Sequence, residues 1–249
     1  MSDRCSRIFP ATAAAILLAS LGAPAVVAAD SRTDCRTGSP EVRIAACTQI
    51  LQSNPADFNA LANRGVGFRM TGEYDRAVAD FNQAMRLDPK NVAVLFLERG
   101  LAYEGSSDSQ MAITDLSEAL RRDSSLVQAY FGRAIAYEAV GQHDLSTTDL
   151  REATRRDGNL VAALFVQRGE ALRTSHRFEG AISAFDRAIA LNPNFPLAYF
   201  GRGAAHDERG DIEQAAADYR MFLDFKATAD IILQKQQLTR ERLEALSQR

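Results

Sequence analysis

Apolar side chains recur at helical spacing along residues 58–226, in paired runs separated by turn signals. An arginine followed by a small residue marks each pair: Arg64-Gly65, Arg99-Gly100, Arg133-Ala134, Arg168-Gly169 and Arg202-Gly203, at steps of 35, 34, 35 and 34 residues. A large apolar residue stands three positions before the arginine: Leu61, Phe96, Tyr130, Phe165 and Tyr199. Three positions after the small residue come Phe68, Tyr103, Tyr137, Leu172 and His206. The second run opens with Ala77, Ala112, Ser146, Ala181 and Ala215. It continues through Phe81, Leu116, Leu150, Phe185 and Tyr219 to Ala84, Ala119, Ala153, Ala188 and Phe222. This pattern predicts two antiparallel helices per unit, with small residues where they approach. Gly72, Gly141 and Gly210 fall where the first helix must end, because glycine accepts a left-handed cap. Pro89 and Pro193 stop the second helix by clashing with the preceding turn, and Asp123-Ser124 and Asp157-Gly158 close it more loosely. One such pair cannot bury its own apolar face, so the units must stack.

The marks from Leu61 to Pro89 and their copies resemble the tetratricopeptide repeat, W-x₂-L-G-x₂-Y…A-x₃-F…P. The resemblance covers roughly residues 58–226, as repeats at 58–92, 93–126, 127–161, 162–195 and 196–226. It implies an all-α fold, a right-handed α-solenoid of antiparallel helix pairs. Residues 30–57 read as a half-repeat: a tethered loop and one helix near residues 41–52. Residues 227–249 read as a capping helix, with Thr228 at its N-cap and Ile231, Leu238 and Ala245 on one face. Ser109 and Ser146-Thr147-Thr148 are weak helix formers, so the middle repeats are expected to be looser.

The first 29 residues do not fit the pattern. Arg4 and Arg7, an apolar run from Ile8 to about Leu21 and Val27-Ala28-Ala29 read as a secretory signal peptide. Cleavage near Ala29 would leave a periplasmic or secreted protein without stable membrane insertion; retention as an anchor is the alternative. The chain carries 29 basic and 32 acidic side chains, a mild net charge of −3 that argues against nucleic acid as a partner. Cys5 leaves with the signal segment, so Cys35 and Cys47 remain as an even pair in an oxidising compartment. They are expected to form a disulfide, which for so short a loop stabilises by about 2–3 kcal/mol. The other reading makes Cys47 a small buried core residue.

No catalytic set is visible. His143, His176 and His206 occupy three different repeat positions and do not converge on a metal. No H-E-x-x-H, phosphate loop or nucleophile elbow occurs, so the chain reads as no enzyme, with no cofactor. The repeat arginines are matched sixteen residues later by Asp80, Asp115, Asp149 and Asp218, with Ala184 breaking the set. Both series fall at similar heights on adjacent helices. They read as an interhelix ladder of ion pairs, the alternative being an arginine stripe for anionic ligands.

The resemblance places a concave groove along the first helices. It would be lined by Asn59, Val66, Arg69 and Met70, then Leu97, Leu101 and Glu104, then Phe131, Ile135 and Glu138. Val166, Glu170, Arg173, Phe200 and Asp207 continue it. This strip implies a non-catalytic scaffold in the bacterial cell envelope that holds a protein or peptide on apolar side chains between acidic rims. Ala62 and Val66 stand where the family's chaperone-binding members place carboxylate-holding residues, so that activity is not implied. Alternative readings are a self-assembling module, with weak homo-oligomerisation, or an accessory subunit of an envelope enzyme or secretion complex.

Overall fold

The computed structural model describes residues 31–88, 92–226 and 230–247. The signal segment, Pro89 and Thr228 lie outside the described residues. Every regular element among the described residues is an α-helix, twelve in all and no strand. They are α1 (Ser31–Thr37), α2 (Pro40–Ser53), α3 (Phe58–Met70), α4 (Tyr74–Leu87), α5 (Ala93–Gly105), α6 (Ser109–Arg122), α7 (Val127–Ala139), α8 (His143–Thr174), α9 (Phe178–Leu191), α10 (Pro196–Arg209), α11 (Ile212–Asp224) and α12 (Asp230–Ser247). Each helix packs on the next in chain order, and α3·α5, α5·α7 and α8·α10 also touch, so the pairs stack into a solenoid.

The core runs along the seam inside each pair. Phe81, Leu116, Phe185 and Phe222 are fully buried. A Cβ added at Gly65 would lie 2.7 Å from the Phe81 ring, and one at Gly169 would lie 2.7 Å from Phe185. The small residue at each mark thus makes room for the aromatic of the partner helix.

Helix ends follow from local chemistry. Asp57 accepts a hydrogen bond from the Ala60 N–H at 3.0 Å, and Asp108 one from Met111 at 3.3 Å. Gly72, Gly141 and Gly210 adopt φ of 81°, 77° and 96°. Ser107 and His176 hold the same turn in the other two units, at φ 67° and 57°. The long α8 is two helices joined at Asp157, whose φ −155° and ψ 89° match the turn at Asp88, Asp123 and Asn192. The Asp157 carboxylate accepts from the Leu160 N–H at 2.9 Å, so it ends one helix and caps the next without an intervening loop.

Both ends of the solenoid depart from the sequence reading in detail. The tethered loop at the N-terminus contains α1, a helix too short to persist alone. Its Cys35 is disulfide-bonded to Cys47 of α2, and both side chains are buried. At the other end α12 turns a different face inward. Gln236, Thr239 and Leu246 are buried, whereas Leu238 is 59% exposed and Ala245 is exposed; the Ile231 side chain lies outside the described residues. The cause is the C-terminus of α11, whose last carbonyls need donors. The Gln236 amide supplies them, reaching Phe222 O at 3.2 Å and Phe225 O at 2.8 Å.

Candidate functional site

Four of the five repeat arginines form the ladder. Arg64, Arg99, Arg133 and Arg202 each grip the aspartate of their own unit with two hydrogen bonds of 2.6–2.8 Å. The aspartates are buried, at 3–5% exposure. Hydrogen bonding to these carboxylates raises the pKa of all four guanidiniums further above their usual range. Each arginine also donates backwards to the preceding unit, to Thr48, Asn82, Ser117 and Asp186 respectively. The ladder therefore ties helices within units and units to each other. These arginines are committed to the fold and leave no stripe for an anionic ligand.

Arg168 is the exception, and two substitutions explain it. Ala184 takes the place of its aspartate, and Arg151 stands where the preceding unit should offer an acceptor. Deprived of both, Arg168 swings across to Glu104, two units back, at 2.9 Å. This strap spans the face that the sequence reading left open as a groove.

The other expected groove residues are dispersed by the packing. Asn59 and Met70 are exposed, and Val66, Leu101 and Phe200 are half-buried. Leu97, Phe131, Ile135 and Val166 are buried, at 5%, 8%, 3% and 9% exposure, and are packing residues rather than an open apolar strip. Close approach of successive first helices covers them. The Phe131 and Phe165 rings meet edge to face at 4.9 Å, and a Cβ at Gly132 would lie 2.8 Å from Leu101. The charged members are also engaged internally. Arg69 pairs with Glu98 at 2.8 Å, Glu138 with Arg187 at 3.0 Å, and Arg173 with Glu170 at 2.8 Å and with Glu208. Asp207 receives Arg242 of α12 at 2.6 and 2.7 Å and the Tyr219 hydroxyl at 3.2 Å. Burial, reinforced by Asp207, raises the Tyr219 pKa. The acidic positions expected to set a ligand's register thus hold the solenoid's own arginines. From sequence, Ala184 and Arg151 signal that Arg168 lacks its usual partners but not where it goes.

Open space lies elsewhere. A cleft of about 580 Å³ separates the first half of α8 from α9, with Leu150, Phe165 and Leu191 along it and Arg151, Arg155 and Arg187 at its edge. A second, of about 430 Å³, lies at the N-terminal end, where Asn59 and Asn63 of α3 face Arg32 and Arg36 of α1. Among the described residues, no group of three His, Cys, Asp or Glu side chains could hold a metal. His206 lies 3.2 Å from the Asp211 carboxylate, and His143 and His176 sit at the ends of other helices. No helix among the described residues is long and apolar enough to cross a membrane.

Two family models of the tetratricopeptide repeat match the chain, over residues 58–91 and 166–246. A solved tetratricopeptide repeat protein from Parabacteroides merdae ATCC 43184 is 20% identical, with a TM-score of 0.52, covering 81% of this chain and 78% of that one. A thermophilic tetratricopeptide protein from Thermus thermophilus is 18% identical with a TM-score of 0.49, covering 77% of this chain and 100% of that one. Among curated proteins, the mouse FK506-binding protein-like is 36% identical over 56 residues, 22% of this chain and 16% of that protein. Stress-induced-phosphoprotein 1 of Caenorhabditis elegans is 27% identical over 90 residues, 36% of this chain and 28% of that protein. The chain thus spans less than a third of the length of either relative. It is an all-α solenoid, with tetratricopeptide repeats matched at residues 58–91 and 166–246.

Proposed function

We propose that the chain is a non-catalytic scaffold of the bacterial cell envelope that binds a protein or peptide partner. One observation carries this reading. The recurrent charges of the repeats are spent inside the fold, in the Arg–Asp ladder and its straps, while apolar side chains at the margins of the stack stay in water. Met70 and Val94 are 54% and 56% exposed. Such side chains on a stacked repeat surface are available for contact with a partner. The relatives named above lend only their repeats to this reading, because the matched segments are a small part of each.

The envelope location rests on the signal-like segment at residues 1–29 and on the Cys35–Cys47 disulfide, which suits an oxidising compartment. Intact mass of exported protein tests both. The expected species begins near Asp30 and takes up no alkylating reagent before reduction. A mass retaining residues 1–29 rejects the cleavage, and two free thiols reject the disulfide. Photo-crosslinkers at Met70 and Val94 test the scaffold itself. The expected result in native envelopes is a covalent adduct with one polypeptide; adducts with further copies of this chain, with mass rising with concentration in purified protein, would replace the scaffold by a self-assembling module.

A further inference from the structure

The aromatic near the start of the first helix in the second to fifth units is covered differently from unit to unit, and among these four the fourth is the odd one. Nineteen and twenty-three residues after the repeat arginine, the second unit carries Glu118 and Arg122 and the third carries Glu152 and Arg156. In both, the glutamate holds the arginine, at 2.6 and 2.8 Å. The guanidinium then lies over the aromatic: Arg122 over Phe96 and Arg156 over Tyr130, each 5.2 Å from the ring centre. These glutamates are acidic groups under strong cationic influence. Hydrogen bonds from Arg121 and Arg155 respectively lead in holding their carboxyls down to about 2. The fifth unit closes the same place with a ring, Phe225 at 5.6 Å from Tyr199. In the fourth unit the two positions are Arg187 and Leu191. The glutamate has become a cation, Arg187, which lies over Phe165 at 5.6 Å and pairs with Glu138, and the arginine of the other units has become an aliphatic chain.

The result is the 580 Å³ cleft beside Phe165. Its apolar lining comes from Leu150, Phe165 and Leu191, and three arginines edge it: Arg151, Arg155 and Arg187. No acidic side chain is part of its lining, although Glu152 holds Arg155 and Glu138 holds Arg187 from outside it. Arg151 is exposed and, among the described residues, has no side-chain partner, since it occupies the place where other units offer an acceptor. The chain as a whole is mildly acidic, so this basic edge is a local reversal of charge.

We propose that this cleft, rather than the concave groove, docks an acidic amphipathic segment of a partner protein. Apolar side chains of the segment cover Leu150, Ala190 and Leu191, with the buried Phe165 as the floor. Its carboxylates pair with Arg151 and with the water-facing N–H groups of Arg155 and Arg187, which stay 67% and 41% exposed beside Glu152 and Glu138. Shape favours a protein segment over a fatty acid. The cleft is open along its length, so an acyl chain would keep much of its surface in water, whereas a helix needs only one face covered. The assignment rests on the scaffold reading above and names the chemistry of its partner.

The test uses the full mature chain and labelled helical peptides of about twelve residues with Leu on one face and Glu on the other. The Leu/Glu peptide is expected to bind, and versions with Lys for Glu or Ser for Leu are expected to bind at least about tenfold more weakly. The decisive variant is R187E/L191R, which rebuilds the cover of the second and third units. It is expected to fold with unchanged helicity and to lose the peptide by at least about tenfold. R151E/R155E leaves the apolar lining intact and is expected to lose it similarly. Equal binding of the Lys peptide, unchanged affinity in R187E/L191R, or binding only of laurate or of anionic vesicles would overturn the proposal. If R187E/L191R still forms the native adduct from Met70 or Val94, the cleft assignment falls and the scaffold reading stands.

Discussion

Ser107 and His176 occupy a left-handed turn that the other three units give to glycine. A side chain there crowds the following carbonyl at a cost of about 1 kcal/mol. Ser107→Gly and His176→Gly are each expected to stabilise by about 0.5–1 kcal/mol in denaturant unfolding, and Gly72→Ala to lose a similar amount. Unchanged midpoints for both glycine variants would show that neither turn is strained. Phe131 illustrates a different residue-scale lesson. Its periodicity and the family resemblance alike permit a groove position, yet it is 8% exposed and meets Phe165 edge to face. Phe131→Ala is therefore expected to cost about 3–5 kcal/mol of stability, comparable to Phe81→Ala. A melting midpoint close to that of the parent protein would return Phe131 to the surface.

At the scale of helices, the ladder does more than ordinary surface ion pairs. An exposed pair contributes about 0.2–1 kcal/mol. Asp115, however, is 3% exposed and receives two hydrogen bonds from Arg99, which also reaches Asn82 of the unit before. Arg99→Ala leaves a buried carboxylate without its counterion, so its cost is expected to be about 3–5 kcal/mol. Replacing both partners is expected to cost much less than the sum of the single losses, which a double-mutant cycle of Arg99→Ala and Asp115→Ala measures. Strictly additive losses would mean that the pair is incidental. The helix pairing and the arginine–aspartate register were legible in the sequence, because both repeat at a fixed step. The destination of Arg168 was not, because Glu104 is two units away and no periodicity links them.

For the whole molecule, the ends decide whether a stack of repeats persists as a single soluble body. At the N-terminus the disulfide ties α1 to α2. At the C-terminus α12 satisfies carbonyls of α11 through Gln236 and reaches Asp207 of α10 through Arg242. Ending the chain after Lys226 is expected to lower solubility and the melting midpoint, because the packing surface beside Tyr219 is uncovered and Asp207 loses its counterion. A truncated protein that stays monomeric with the same midpoint would show that α12 is an appendage.

The sequence by itself determined the class of fold, the pairing of helices in the repeats, and the partners within each unit. These follow from periodic patterns, and a helix pair copied at a fixed step admits essentially one way of stacking. The tertiary structure alone decided which apolar side chains remain in contact with water and which charges remain free. Those outcomes depend on how closely successive first helices approach and on which units face each other across the superhelix. The same close approach that buries Leu97, Phe131, Ile135 and Val166 puts Glu104 within reach of Arg168. The open cleft likewise arises where two neighbouring units differ at once, at Arg151 on one side and at Arg187 and Leu191 on the other.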